Sequence, residues 1–200
     1  MIISHSHKFI FIKTRKTAGS SIESYLVNNY LGPNDVCTGS PIDGTRRLNT
    51  FHKNGHMDCI TVMNLYPQEW ASDKKNYYKF AVERNPWDKL VSLYFFYKKW
   101  KPKKVKFGFE TFIKEQAEQY NDWYMYTCND KILVDDLLNY DNLHKHLKNI
   151  PIPYNNELLT VRLKSNTRQN KNYREMYNED TKRSVEQVFE KPIQHFGYTF

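Results

Sequence analysis

The sequence has few cysteines and no long apolar run, and these absences exclude several classes of protein. Its three cysteines, Cys37, Cys59 and Cys128, are far apart and form no C-x-x-C pair. This pattern disfavours a disulfide framework and a cysteine-based zinc site, and it indicates a reducing compartment. No stretch approaches the length of an apolar transmembrane helix, and the first residues lack the apolar core of a signal peptide. We therefore expect a cytoplasmic protein with no membrane partner.

The usual phosphate-binding loop of ATP- and GTP-binding proteins is also missing. That loop reads G-x-x-x-x-G-K-[ST], with the lysine after the second glycine. In the comparable turn of this sequence, Lys16 precedes Gly19 instead. A standard ATP or GTP site is therefore disfavoured.

The composition is that of a basic, globular protein. Hydrophobic residues make up 40% of the 200 residues, and the formal net charge is +8. A chain of this length can bury a sizeable core, and we predict a single domain over residues 1–200. The positive charge suits a nucleotide, a nucleic acid, an acidic polysaccharide or a membrane surface, and composition does not choose among them.

Segments typical of strands alternate with segments typical of helices. Short apolar runs rich in β-branched and aromatic residues predict strands at 8–13, 77–82 and 132–134. Helical spacing begins at Ile22 and at Pro86, and it recurs at 58–65, 109–120, 141–148 and 180–190. This alternation predicts an α/β fold in which helices flank a central, mainly parallel sheet.

A polar turn joins the first predicted strand to its helix and has the chemistry of an anion site. The first amides of a helix have no partner inside it, and the helix dipole adds positive potential there. Gly19 allows the backbone to approach a ligand closely, Lys16 adds a cation, and hydroxyl donors come from Thr17, Ser20 and Ser21. A serine-capped helix with no ligand fits this pattern equally well.

This turn resembles a motif of sulfotransferases that use 3′-phosphoadenosine 5′-phosphosulfate (PAPS). The run Lys16-Thr17-Ala18-Gly19-Ser20-Ser21 is similar to the K-T-[AG]-[GS]-[ST]-S segment of the carbohydrate sulfotransferases. The resemblance implies a P-loop NTPase-like sulfotransferase fold in which this segment wraps the 5′-phosphosulfate. It further implies that Lys16 contacts the bridging oxygen at which the leaving group departs.

A second segment resembles the family's V-R-[ND]-P-[WYF]-[DE]-R-[LA]-[VL]-S element. It runs from Val82 to Ser92 and includes Arg84, Asn85 and Pro86. The resemblance implies that Arg84 and Ser92 hold the 3′-phosphate of PAPS. A planar guanidinium at a strand end suits this task because it donates two parallel hydrogen bonds to phosphate.

The last third of the chain is similar to the family's tail, where a basic loop precedes a Y-R-x-x-Y element and a closing F-G-Y-x-F. The matching segments are residues 173–181 and 196–200. The family's basic loop closes over the nucleotide, which makes Arg168, Lys171 and Tyr173 candidates to contact it. A solvated basic loop is the alternative interpretation.

Sulfuryl transfer needs a general base for the acceptor hydroxyl, usually His or Glu. Gly55-His56 resembles the Gly-His that carries the base in uronyl 2-O-sulfotransferases, so we predict His56 as the base. His52 and Glu23 are the alternatives. His52 and His56 have a spacing compatible with metal binding on a helix, but the intervening Asn54-Gly55 disfavours a helix, and no metal is expected.

The sequence thus predicts an enzyme that transfers a sulfuryl group from PAPS to a hydroxyl acceptor and releases 3′,5′-ADP. The family likeness favours a saccharide acceptor, and we expect no nucleic-acid partner. Two other functions stay open at this point. One is a kinase on a P-loop-like scaffold; the other is a basic nucleic-acid-binding module that uses aromatic residues such as Trp100, Trp123 and Tyr124. The acceptor's identity and the oligomeric state cannot be deduced from the sequence.

Overall fold

The computed structural model describes residues 1–39, 54–71, 77–159 and 172–200. These residues form two compact units, each with its own hydrophobic core. The first, here called the sheet unit, comprises residues 1–83 and 124–163, and the second, the helical unit, comprises residues 84–123 and 164–200. A single domain over residues 1–200 stays a prediction, and the units are described separately.

Strands and helices follow one another along the chain without strict alternation. The strands are β1 Ile2–Ser4, β2 Phe9–Ile12, β3 Val36–Cys37, β4 Tyr78–Glu83, β5 Thr127–Cys128, β6 Lys131–Ile132 and β7 Asp136–Asn139. The helices are α1 Gly19–Asn29, α2 Cys59–Leu65, α3 Pro67–Trp70, α4 Pro86–Trp100, α5 Gly108–Gln116, α6 Trp123–Tyr126, α7 Leu143–Asn149, α8 Glu179–Val188 and α9 Glu190–Phe196. Short 3₁₀ turns lie at Pro102–Val105, Glu118–Tyr120, Tyr140–Asn142, Asn156–Leu159 and Tyr173–Met176. Within the described ranges, no helix has both the length and the apolarity needed to cross a bilayer.

Five strands form the sheet of the sheet unit, in the order β3-β1-β2-β4-β7. Strand β1 is antiparallel to both of its neighbours, whereas β2 pairs with β4, and β4 with β7, in parallel. Four of these five strands therefore run in one direction, and the predicted α/β fold with a mainly parallel sheet is confirmed. The carboxyl ends of β2 and β4 lie side by side, with Ile12 opposite Ala81.

The central strand β2 is apolar along its whole length and is buried on both faces. Phe9, Ile10 and Phe11 in β2 are completely buried, as expected for parallel strands between two layers. Phe11 stacks on Phe80 of β4 with ring centroids 4.8 Å apart. Alternate residues of these strands share a core with helix α1, which contributes Ile22, Tyr25, Leu26 and Val27.

The predicted third strand at 132–134 is only partly correct, because Ile132 ends the short strand β6 and residues 133–134 are not in a strand. Two polar features explain the difference. Asn129 and Asp130 both have positive φ, 48° and 61°, and they close a tight hairpin between β5 and β6 that takes up Lys131 and Ile132. The third parallel strand is β7, which begins four residues later. Asp135 fixes the start of β7 against β4. Its carboxylate accepts a hydrogen bond from the Lys79 amide at 2.7 Å, and its own amide donates to the Lys79 carbonyl at 2.8 Å.

The helical unit is built on α4, which begins where the sequence predicts. The Asn85 side chain accepts the Trp87 amide at 3.1 Å and the Asp88 amide at 3.4 Å, and Pro86 occupies the first helical position. The core combines aromatic and aliphatic residues of α4 with residues of α5 and α8, among them Trp87, Leu90, Tyr94, Phe112, Val185 and Phe189. Helix α8 lies where helical spacing was predicted at 180–190, and its Val185 is buried.

A charged pair is enclosed in this helical core. The Lys89 ammonium lies 2.8 Å from the Asp122 carboxylate, and the two side chains are 1% and 0% exposed. Removing one member of such a pair leaves an uncompensated buried charge, whose desolvation is no longer offset by attraction.

We predict that Lys89→Met lowers the free energy of unfolding by about 3–5 kcal/mol, because Asp122 loses its counter-ion in a dry environment. The control is Lys114→Met, which removes a fully exposed partner of Glu110 on the same unit. Exposed ion pairs contribute little to stability, so the free energy of unfolding of the control should equal that of the wild type. Urea unfolding measures both variants, and equal stabilities would contradict the assigned role of the buried pair.

Candidate active site

The turn after β2 has an unusual backbone. Lys16 and Ala18 both lie in the left-handed region, with φ of 61° and 60°. Residues that carry a Cβ adopt this conformation at a cost of about 1–2 kcal/mol each. Backbone strain of this kind concentrates at functional sites, and alternating left-handed residues turn successive amides inward to form anion-binding concavities.

Helix α1 starts in this turn with a residue that cannot cap it. Ala18 occupies the N-cap position and has no side-chain acceptor for the first-turn amides. The Ser21 and Ile22 amides already donate to the Ala18 carbonyl, at 2.9 and 3.1 Å. No acidic residue lies in the first turn. The positive end of the helix is thus not neutralised by its own first turn, which is what an external anion requires.

The hydroxyl of Thr17 has a structural use. Thr17 is completely buried, and its Oγ1 lies 2.9 Å from Thr14 Oγ1 and donates to the Thr14 carbonyl at 3.3 Å. Thr14 in turn donates to the carbonyl of Val82 at the end of β4. The Thr17 hydroxyl, which was predicted to donate to a ligand, therefore stabilises the turn instead. The group of Thr17 that stays a candidate for ligand binding is its backbone amide.

Gly19 makes room for a buried lysine. A Cβ at this position would lie 2.8 Å from Cγ and 3.2 Å from Cε of Lys13. The Lys13 side chain passes beneath the turn, and its ammonium contacts the Glu23 carboxylate of α1 at 2.5 Å. The two side chains are 9% and 3% exposed. A carboxylate enclosed in an ion pair is poorly placed to take a proton from an acceptor, which disfavours Glu23 as the base.

The charge of Glu23 also reaches the end of β3. Burial, followed by the charge of this carboxylate, raises the pKa of the Cys37 thiol to about 12. Cys37 is therefore protonated near neutral pH, and it is not an activated nucleophile.

The structure brings the predicted base, His56, to the beginning of this turn. Its Nδ1 lies 2.8 Å from the carbonyl oxygen of Lys13. A carbonyl only accepts, so Nδ1 carries the hydrogen, and a neutral ring then has its lone pair on Nε2. This is the tautomer that a general base needs. The alternative base, His52, lies outside the described residues, as do Arg168 and Lys171.

The second predicted motif begins the helical unit. Arg84 is held by Asp88 one helical turn later, with Nε at 2.7 Å and an Nη nitrogen at 2.5 Å from the same carboxylate oxygen. Side chains four residues apart meet on one face of a helix. Asp88 had no predicted role, although its spacing of four residues from Arg84 could have indicated this ion pair.

Tyr173 lies at the start of the same helix. Its hydroxyl is 3.5 Å from the Asn85 amide nitrogen, and Asn85 also donates to the Thr199 carbonyl at 3.3 Å. The neighbouring Arg174 places its guanidinium 4.7 Å from the centre of the Tyr173 ring. Within the helical unit, the structure thus brings Tyr173 to the end of α4 that Arg84 precedes. Ser92 lies two turns into α4 and is half-buried.

Across residues 1–39, 54–71, 77–159 and 172–200, no cluster of three or more His, Cys, Asp or Glu side chains is arranged to hold a metal ion. In the sheet unit, the candidate groups are Lys16, the first amides of α1 and His56. In the helical unit, the candidate group for an anion is Arg84.

Comparison with known proteins identifies the family. The sequence model of the sulfotransferase family matches residues 1–156. An uncharacterized protein of Archaeoglobus fulgidus is 36% identical over 111 residues, which cover 50% of this chain and 85% of that protein. A crystal structure of mouse sulfotransferase SULT7A1 complexed with PAP aligns with a TM-score of 0.44 and 13% identity, over 96% of this chain and 86% of the mouse chain. Because the family match spans most of the chain, this protein belongs to the sulfotransferase family, and the predicted family is confirmed.

We predict that Gly19→Ala lowers the free energy of unfolding by about 1–3 kcal/mol. The new Cβ would displace the aliphatic part of the Lys13 side chain, and this side chain cannot move freely because its ammonium is held by Glu23. Gly32→Ala is the matched control. A Cβ there meets nothing closer than 3.9 Å, and the change should be neutral or stabilising by a few tenths of a kcal/mol. Thermal unfolding distinguishes the two, and a Gly19 variant as stable as the Gly32 variant would refute the packing argument.

Proposed function

We propose that this sulfotransferase moves a sulfuryl group from PAPS to a hydroxyl of a saccharide and releases 3′,5′-ADP. The observation that carries the proposal is the turn after β2. There, strained residues, a helix start that Ala18 leaves uncapped, a lysine and the His56 ring occur around one strand end. Ligands of α/β proteins bind beyond the carboxyl ends of parallel strands, which is the edge that this turn occupies.

The turn fits the phosphosulfate end of the cofactor in charge and in donors. Lys16 and the first amides of α1 provide positive potential without a metal ion. Side-chain hydroxyls of Ser20 and Ser21 add further donors, whereas that of Thr17 braces the turn. When bound, PAPS supplies an activated sulfuryl group attached to a phosphate leaving group. The role of Lys16 is to neutralise the charge that develops on that phosphate.

For the 3′-phosphate we propose Arg84 and Ser92, which match the family motif by position. Arg84 directly precedes α4, whose first positions have a well-formed cap at Asn85. Tyr173, near the same cap, is proposed to contact the nucleotide, together with Arg168 on the basis of the family resemblance. Arg174, which lies over the Tyr173 ring, is an additional cation next to this position.

We assign the general base to His56. The hydrogen bond from Nδ1 to the Lys13 carbonyl orients the ring and directs the lone pair to Nε2. Nε2 accepts the proton of the acceptor hydroxyl as the new bond from that oxygen to sulfur forms and the bond from sulfur to the leaving oxygen breaks. A saccharide acceptor is supported by the resemblance of Gly55-His56 and of the Lys16 turn to carbohydrate sulfotransferases.

Ligand-dependent thermal unfolding tests the cofactor against the two other functions. At about 100 times its Kd, a ligand stabilises the folded state by about 2.7 kcal/mol. We expect such a shift with 3′,5′-ADP and a much smaller one with 5′-AMP, with ATP and Mg²⁺, or with a single-stranded oligonucleotide. Preferential stabilisation by ATP with Mg²⁺ would favour a kinase.

Lys16→Ala should lower sulfuryl transfer from PAPS at least about 100-fold. The control is Lys131→Ala, which removes the same positive charge from the β5–β6 hairpin.

We predict that His56→Asn lowers kcat by about 10²–10⁴-fold and leaves the affinity for 3′,5′-ADP unchanged. The asparagine amide can still donate to the Lys13 carbonyl, so the variant removes the base while it keeps the hydrogen bond. His7→Asn is the control, because this exposed ring also contacts a backbone carbonyl, that of Tyr30 at 3.3 Å. Full activity of the His56 variant would eliminate His56 as the base.

A further inference from the structure

A short stretch of the helical unit, residues 98–107, has an extreme composition. We call it the lysine segment. It reads Lys-Lys-Trp-Lys-Pro-Lys-Lys-Val-Lys-Phe, with six lysines and no acidic residue. The next acidic residue along the chain, Glu110, pairs with Lys114 at 2.8 Å. The positive charge of the segment is therefore not balanced by acidic residues within it.

Except for the buried Val105, the side chains of the lysine segment are exposed, including its two aromatic ones. All six lysines are exposed. Trp100 is 59% exposed and Phe107 is 70% exposed, the two highest values among the large apolar residues that the structure describes. Single exposed apolar residues are normal, but two large aromatic rings seven positions apart, with four lysines between them, expose more apolar surface than an isolated residue does.

The backbone of the segment is ordered by local contacts. It leaves α4, turns through the 3₁₀ turn Pro102–Val105 and ends at the start of α5. The Lys101 amide donates to the Tyr97 carbonyl at 2.7 Å, and the Lys104 amide donates to the Lys101 carbonyl at 2.9 Å. Val105 is buried, and the Lys104 ammonium lies 5.1 Å from the centre of the buried Tyr97 ring. The segment is a fixed corner, so its charges and rings are presented without a large ordering cost.

The residue types in this corner distinguish among anionic partners. Sequence-specific reading of bases relies on multidentate side chains such as Arg, Asn, Gln, Asp and Glu. The lysine segment has none of them and consists only of Lys, Trp, Pro, Val and Phe. Lysine acts as a point charge toward phosphate, and Trp and Phe favour the boundary between headgroups and acyl chains. This is the composition that suits a lipid surface.

We propose that the lysine segment docks the protein on an anionic lipid bilayer, with Trp100 and Phe107 in the interface and the six lysines at the headgroups. The proposal departs from the expectation of no membrane partner and is independent of the proposed catalytic function. Each lysine near an anionic surface raises the affinity about fivefold, and the two inserted rings add a second, salt-insensitive attachment.

Vesicle flotation tests the proposal with the full chain. The vesicles contain phosphatidylcholine alone or with about 30% phosphatidylserine, at about 0.1 M salt. The wild type should float with the anionic vesicles only. The variant K99Q/K103Q/K104Q should bind them about 100-fold more weakly. The control K131Q/K145Q/K148Q removes the same charge from exposed lysines of the sheet unit and should bind as the wild type does.

The aromatic residues are tested separately with W100A/F107A, which should weaken vesicle binding at least about tenfold without changing the net charge. Thermal unfolding in the absence of vesicles verifies that each variant is folded. Equal binding to neutral and anionic vesicles, or an equal loss in the two lysine variants, would overturn the proposal. Tight, segment-dependent binding to a sulfated polysaccharide or an oligonucleotide without vesicle binding would overturn it too.

Discussion

The position of Lys13 determines the geometry of the turn after β2. Its side chain passes under Gly19 to reach Glu23, and its carbonyl oxygen holds the His56 ring. A buried ion pair adds little net stability, because desolvation costs about as much as the attraction returns. A path of the chain that separated Lys13 from Glu23 would leave both charges buried without this contact, so the pair favours the observed path. One residue thereby fixes the start of α1 and the orientation of the proposed base.

The strained backbone of the turn is supported from below by polar contacts. Left-handed Lys16 and Ala18 flank Thr17, and a hydroxyl network links Thr17 through Thr14 to the Val82 carbonyl of β4. These buried hydrogen bonds would be lost if the turn relaxed, and leaving such groups unpaired costs about 1–3 kcal/mol each. That penalty is comparable to the strain. The turn therefore keeps its amides oriented before any anion arrives, which is the condition for electrostatic preorganisation.

Features set by local pattern were predictable from the sequence, whereas those set by long-range pairing were not. The strand at Phe9–Ile12 and the helix that begins at Pro86 follow from apolar runs and proline chemistry. Lys13 and His56 are 43 residues apart, and nothing in the sequence indicated their hydrogen bond. Similarly, Asp136–Asn139 is too polar to stand out as a strand, and its place beside β4 depends on the contacts between Asp135 and Lys79. Local sequence thus identified the candidate residues, and tertiary pairing determined how they are oriented.

Arg84, which we propose to hold the 3′-phosphate, has a carboxylate partner in Asp88. The two side chains are 11% and 16% exposed, so an unpaired guanidinium there would be poorly solvated. The Asp88 carboxylate accepts from Nε and from one Nη nitrogen of Arg84, and so it fixes the plane of the guanidinium. The Arg84 side chain is then already ordered, whereas a free arginine side chain carries about 2 kcal/mol of rotamer entropy. The cost is a weaker positive field at the guanidinium. An anion is attracted by the guanidinium and repelled by the carboxylate in proportion to its own charge, so the pair by itself does not favour a dianion over a monoanion. The acidic partner therefore holds the guanidinium in one orientation and lowers its attraction for every anion alike.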